Sequence, residues 1–349
     1  MRRLLAVGVW LVLGLVFAQF KSEYKLSVVV GPNTPWGMGA QRFAELVGEK
    51  TGGKVNIKVY YAGQLFAGQQ TNEFQLLRTG VADFAIGSTI NWSPQVKELN
   101  LFNLPFFFPT YKDLDAVEEG QAGRAIFQRL RQLGAEPLAW GENGYRQLTN
   151  SKRPIRTPED LQGLKIRVVG APIFIDTFRA LGANPTSMNW AEVLTALQQG
   201  VIEGQENPIV GVIIPYKLWE LGQRHLTLWN YVIDPLIFAA SAQTWRTFPP
   251  EVQKAIQEAA LEAARYQKAL ARAGMDDGTS LRYLASLGVK VEITDPLAYL
   301  RSQGVQVTIP TPLELGRFRD RVTGVVQRWA NEIGGTLVVM AEADKKRAR

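Results

Sequence analysis

Apolar residues alternate at the start of the folded chain. Tyr24, Leu26, Val28 and Val30 fall on one side, the two-residue period of a strand. Thr34-Pro35 follows, a good N-cap and a residue suited to the first helical turn. The helix predicted from Pro35 to about Lys50 carries Trp36, Phe43, Leu46 and Val47 on one side, and Thr51-Gly52-Gly53 stops it. Val55, Ile57, Val59 and Tyr61 alternate again. A second helix near Gln69 to Thr79 ends at Gly80, and Val81 to Ile86 reads as a short buried strand. Strand, helix, strand, helix, strand with short links predicts a parallel, right-handed α/β unit. Ligands of open α/β sheets lie beyond the carboxyl ends of strands. That rule points to Gly31-Pro32-Asn33-Thr34 and to the loop carrying Ser88 and Asn91, although turn chemistry alone also explains those residues. Leu104 to Pro109 is apolar and reads as core.

The second half repeats the plan. A helix is expected from Leu114 to Leu133, a strand from Glu136 to Trp140, and another strand around Tyr145-Arg146. Thr157-Pro158-Glu159-Asp160 caps a short helix. Leu164 to Val169 is a strand with Arg167 in its middle, and Phe174 to Leu181 is a helix stopped by Gly182. Asn189, with Glu192 three positions on, is expected to cap a helix ending at Gln199, and Gly204-Gln205-Glu206-Asn207-Pro208 closes the unit. Leu76 to Asp83 resembles Ala196 to Glu203: in each a helix ends at Gly, and a strand begins and meets an acid. Val232 to Ala240 is apolar again. Pro249-Pro250 precedes a helical pattern from Glu251 to about Leu287; ~37 residues would reach ~55 Å. Thr311-Pro312-Leu313-Glu314 caps a last helix to about Ile333, and the Lys345-Lys346-Arg347 tail is expected to fray.

Composition narrows the function. The chain has 349 residues, 46% hydrophobic and 20% charged, enough for two cores. Met1 to Ala18 has a basic start and an apolar run too short to span a bilayer, and it reads as a secretory signal peptide cleaved near Ala18. Net charge is +7, with Lys and Arg scattered. That supports attraction of anions into a cleft rather than nucleic-acid binding. The chain has no cysteine and one histidine, His225, without an acidic neighbour. Cys/His zinc sites and Cys–His nucleophiles are thereby excluded, and no Gly-x-Ser-x-Gly accompanies the histidine. No metal and no cofactor are expected.

Three side chains invite a ligand. Arg167 lies between Ile166 and Val168, where a guanidinium needs an anionic partner or water. Its planar fork matches a carboxylate in two parallel hydrogen bonds. Arg146 follows Tyr145 in another strand. Asn207 is held extended by Pro208, so its amide projects from a strand end. From pattern alone, a structural salt bridge or surface exposure explains either arginine better than a ligand contact does. Trp190 reads as core or as a stacking wall.

The combination resembles the extracytoplasmic solute-binding proteins of tripartite ATP-independent periplasmic (TRAP) transporters, of the DctP type, from about Tyr24 to Leu337. The resemblance rests on Thr149 to Leu161, Leu164-Lys165-Ile166-Arg167-Val168, Leu181-Gly182-Ala183-Asn184-Pro185-Thr186 and Ala196 to Pro208. It implies a two-domain α/β periplasmic-binding-protein fold, type II-like, with a central ligand cleft and a long domain-spanning helix. Domain I is placed at residues 24–143 with 233–272, domain II at 144–232 with 273–337, and a flexible basic tail at 338–349. It also implies that Arg167 pairs with a solute carboxylate, that Arg146 and Asn207 assist, and that Trp190 forms an aromatic wall. Ser88 and Asn91 fall where some members tune specificity. Members reading sialic acid carry an acid and a base near there; these residues are small and neutral. A branch that binds through a metal has Glu-Trp where this chain has Glu206-Asn207. The expected partners are a small organic acid and the integral membrane subunits of a TRAP permease, in the periplasm. Trp36, Trp92 and Trp190 lean weakly toward a less polar solute. Two rivals remain: a secreted hydrolase using Asp83 and Glu203, and a solute sensor that signals to a membrane kinase.

Overall fold

In the computed structural model, which describes residues 20–347, the alternating runs become strands of one mixed sheet. The expected leader lies outside the described residues. The strands are β1 (Tyr24–Ser27), β2 (Ile57–Tyr60), β3 (Phe84–Ser88), β4 (Ala135–Asn150), β5 (Lys165–Val168), β6 (Asn184–Ser187), β7 (Gly204–Pro208), β8 (His225–Ser241) and β9 (Gln306–Thr308). Their order is β2-β1-β3-β8-β4-β7-β5-β6, with β9 beside β8. The trio β2-β1-β3 is parallel, and so is β6-β5-β7. Each meets the centre antiparallel, β3 on β8 and β7 on β4. Two lobes of the same plan therefore share a central antiparallel pair.

Alternate residues of β8 feed different cores, Ile233, Ile237 and Ala239 in one and Leu236, Phe238 and Ala240 in the other. The centre of the sheet is buried on both faces, and both cores run through both lobes. The short internal echo occupies matching places. Gly80 and Gly200 both adopt positive φ (74° and 69°) before β3 and β7. Asp83 then accepts from the backbone N–H of Lys25 at 2.9 Å while its own N–H donates back to the Lys25 carbonyl at 3.0 Å. Glu203 does the same to Lys165, at 2.9 and 2.8 Å. Each acid clamps the neighbouring strand of its lobe.

Several expectations change. The two strands expected around Glu136 and Tyr145 are one 16-residue strand, β4, interrupted by bulges at Pro137/Ala139, Glu142/Gly144 and Arg146/Leu148. The 24–143 and 144–232 division falls at the middle bulge. The helix expected over Leu114 to Leu133 is two, Tyr111–Glu119 and Gln121–Gln132. Gly120 separates them, because a Cβ there would lie 2.2 Å from Cγ of Asp344. That carboxylate belongs to the tail expected to fray. Instead Gly335–Arg347 is a helix. Asp344 accepts from the Ala122 N–H at 2.9 Å, capping the Gln121–Gln132 helix. Lys345 donates to the Phe107 carbonyl at 2.9 Å and sits 3.6 Å from the Phe107 ring centroid.

The long helix also stops early. It spans Pro250–Arg272, 23 residues or ~35 Å. Gly274 and Gly278, both at positive φ, turn the chain before the separate Thr279–Ser286 helix. Its Gln267 is fully buried and completes the middle bulge of β4, accepting from the Glu142 N–H (2.8 Å) and donating to the Glu142 carbonyl (2.6 Å). Gly39 makes room for it, since a Cβ there would meet Gln267 Cγ at 2.3 Å.

Candidate functional site

The carboxyl ends of β1, β3, β5 and β7 converge on one cavity of ≈ 30 Å³. For comparison, one water takes about 10–15 Å³ by this measure. Ser88, Asn91, Arg146, Arg167, Trp190 and Asn207 all line it. Val29, Val30, Val169, Val212 and Trp36 supply apolar wall, and Gln70, Asn143 and Asp234 supply polar groups.

Arg167, in the middle of β5, is 1% exposed. Its Nε and Nη2 both donate to the Met188 carbonyl, at 2.9 and 2.6 Å. That bifurcated hold fixes one edge of the guanidinium. Nη2 also reaches Gln70 at 3.5 Å, and Trp190 lies under the cation, 5.9 Å from its centroid. No carboxylate forms an ion pair with it among the described residues. Burial accordingly pushes its pKa down to about 9; Glu206 opposes this and Arg146 adds to it.

Arg146 is different. It is equally buried, but Glu206 takes its Nε at 2.5 Å and its Nη2 at 2.8 Å, and Asp234 takes Nη1 at 3.2 Å. Burial works to lower its pKa, and these carboxylates more than reverse the effect. Tyr231 donates to Glu206 at 2.6 Å, holding that carboxylate in place. Asp234 accepts from Ser88 Oγ (2.6 Å) and Asn143 Nδ2 (2.9 Å). Burial raises its pKa, and Arg146 counteracts. Asn207 lies at the end of β7 and donates to Gln205 at 2.6 Å.

The sequence model of DctP, described as bacterial extracellular solute-binding protein family 7, matches residues 26–297. The chain belongs to this family. The receptor is 32% identical over 71% of its length to the C4-dicarboxylate-binding periplasmic protein DctP of Rhodobacter capsulatus, covering 73% of that protein. A TRAP periplasmic solute-binding protein from Ralstonia eutropha H16, solved with bound (S)-2-acetolactate, is 46% identical. It superposes with a TM-score of 0.88 over 94% of this chain and 100% of the other. Another, from Sulfurospirillum deleyianum with bound succinate, is 30% identical, with a TM-score of 0.78 over 92% and 98%. The receptor is thus a TRAP solute-binding protein with the family's two-domain fold. No helix among the described residues is long and apolar enough to cross a membrane.

Contacts across the receptor's cleft come from residues the sequence pattern did not single out. Asn189 does not cap the Trp190–Gln198 helix with its side chain. Gln70, from the opposite lobe, accepts from the Trp190 N–H at 2.6 Å instead, and donates to Asn91 at 2.7 Å. Tyr216 accepts from the Gly31 N–H at 2.9 Å and packs edge-on to Trp190. These bonds cross the cleft, and no local motif marks a residue whose partners come from the other lobe. Asp234 was equally hidden, within an apolar run that reads only as strand. Trp36 lines the cavity, with its indole N–H on the Ile86 carbonyl at 2.8 Å. Trp92 does not; it is core, donating to Glu73 at 3.0 Å. His225 opens β8, and burial lowers its pKa.

Proposed function

We propose that the receptor holds a short-chain organic acid by a carboxylate seated on Arg167 and delivers it in the periplasm to the membrane subunits of a TRAP permease. The observation that carries this reading is a fully buried guanidinium, oriented by Met188, that faces the cavity without an ion-pair partner. A carboxylate there relieves the desolvation cost of the cation, and closure strengthens the pair as water leaves. Arg146 serves as a scaffold, because Glu206 and Asp234 occupy four of its five donors along with the Glu206 carbonyl. Asn207 and Asn91 contribute amide contacts, Ser88 orients Asp234, and Trp190 forms the wall. The small cavity favours a solute of a few carbons over a six-carbon sugar acid, in keeping with the acetolactate held by the 46%-identical relative.

The protein acts by binding, not catalysis. Asp83 and Glu203, the acids a hydrolase would use, lie off the cavity and are engaged as strand clamps. Calorimetry with a panel of small carboxylates tests the reading. Arg167→Ala is expected to lose ~2–5 kcal/mol of binding; an unchanged dissociation constant would refute the assignment.

A further inference from the structure

We infer that the Asp234 end of the cavity reads a hydroxyl on the solute and turns away a second carboxylate, so that the receptor selects hydroxy monocarboxylates. The inference rests on the receptor reading above and narrows its solute class. Charge balance is the first argument. The cavity lining includes two guanidiniums. Arg146 is matched by Glu206 and Asp234; Arg167 alone has no ion pair. Glu206 and Asp234 already offset both guanidiniums, so one carboxylate on Arg167 leaves the site negative and a second is opposed.

Hydrogen-bond inventory is the second. Asn143 lines the cavity, is 4% exposed, and its Oδ1 has no partner among the described residues. The amide cannot turn to relieve this, because its Nδ2 donates to Asp234 at 2.9 Å and a flip would oppose two oxygens. Asp234 Oδ1 carries one donor, Ser88 Oγ at 2.6 Å, and retains a lone pair. The Ser88 oxygen in turn accepts from the Ile90 N–H at 3.1 Å, so its proton is committed to Asp234. This end of the site therefore holds buried acceptors, Asn143 Oδ1 beside Gly211 and Asp234 Oδ1 beside Ser88. A solute hydroxyl supplies the missing donor. A second carboxylate supplies none and brings like charge against Asp234 in a low-dielectric pocket.

Calorimetry with three probes on solute-free protein tests this: 2-hydroxy-3-methylbutanoate, 3-methyl-2-oxobutanoate with the same skeleton but no hydroxyl, and succinate. The hydroxy acid is expected to bind about tenfold or more tighter than the oxo acid, and succinate weakest of all. Asn143→Ala should bring the hydroxy and oxo acids to within about threefold of each other. Asp234→Asn, nearly isosteric, should shift the succinate-to-hydroxy-acid ratio toward succinate by about tenfold. Should Asp234→Asn fail to fold, Asn143→Ala still decides through the hydroxy-to-oxo ratio. Wild-type protein that binds succinate as tightly as the hydroxy acid overturns the inference, as do variants that bind with wild-type ratios. Either result leaves carboxylate capture by Arg167 standing. Binding of no carboxylate at all overturns both.

Discussion

Three buried arginines differ in what surrounds them. Arg146 and Arg272 are each tied to two carboxylates, whereas Arg167 has a carbonyl, an amide and a ring. The residue pattern placed Arg146 and Arg167 on strands and only the family resemblance separated them, because the partners that distinguish them, Glu206 and Asp234, arrive from other strands. Arg167→Lys keeps the charge and loses the fork, and should bind every solute about tenfold or more weaker than wild type in the same titrations. Glu73 poses a separate problem. Its buried carboxyl accepts from Ser27 at 2.8 Å and Trp92 at 3.0 Å, with no cation in contact among the described residues. Burial pushes its pKa from 4.5 up to about 8, only partly offset by those two bonds. The folded protein therefore holds this proton more tightly than the unfolded chain. The stabilisation is complete below about pH 4.5 and lost as pH rises to about 8. Glu73→Gln should flatten that fall, worth at most a few kcal/mol, in urea midpoints measured from pH 5 to 8.

Elements show which signals are local. The Thr34 cap and the Thr157 and Thr311 capping boxes form as read, since each is complete within four residues. Two of the failures involve a distant partner. Asn189 yields its capping role to Gln70, and the basic tail is a docked helix because Asp344 finds the Ala122 N–H. Gly120 lies within the helix expected over Leu114 to Leu133, and the Asp344 carboxylate together with the Ala116 carbonyl fills the place its Cβ would take. Asp344→Ala should cost about 0.5–2 kcal/mol, the usual loss of a helix cap, measured as a lower urea midpoint. Gly120→Ala should cost at least as much by displacing the same carboxylate.

At the scale of the molecule, the parallel α/β units and their shared plan were legible from periodicity and from the Gly80 and Gly200 echo. The way the lobes join was not. β4 and β8 run through both, and the register across their bulges depends on pairing between residues about 90 positions apart, such as Gly144 with Asp234. The lobes also meet through Gln70, whose amide bonds Trp190 and Asn91 and approaches Arg167. Gln70→Ala removes a clasp between the lobes, and stopped-flow fluorescence of Trp190 should report solute release about tenfold faster.

The continuous central pair gives the receptor the mechanics of a leaf spring. Flexing between the lobes has to bend two long strands at their bulges, where Gln267 keeps the Glu142 backbone bonded. The stiffness of that region sets the fraction of molecules ready to close, and this fraction multiplies the affinity for every solute alike. Substitution of Gln267, which braces the middle bulge from outside the cavity, will therefore scale all dissociation constants together and leave their ratios untouched. Overall tightness and the choice of cargo can then be adjusted independently, one at the brace and the other in the pocket.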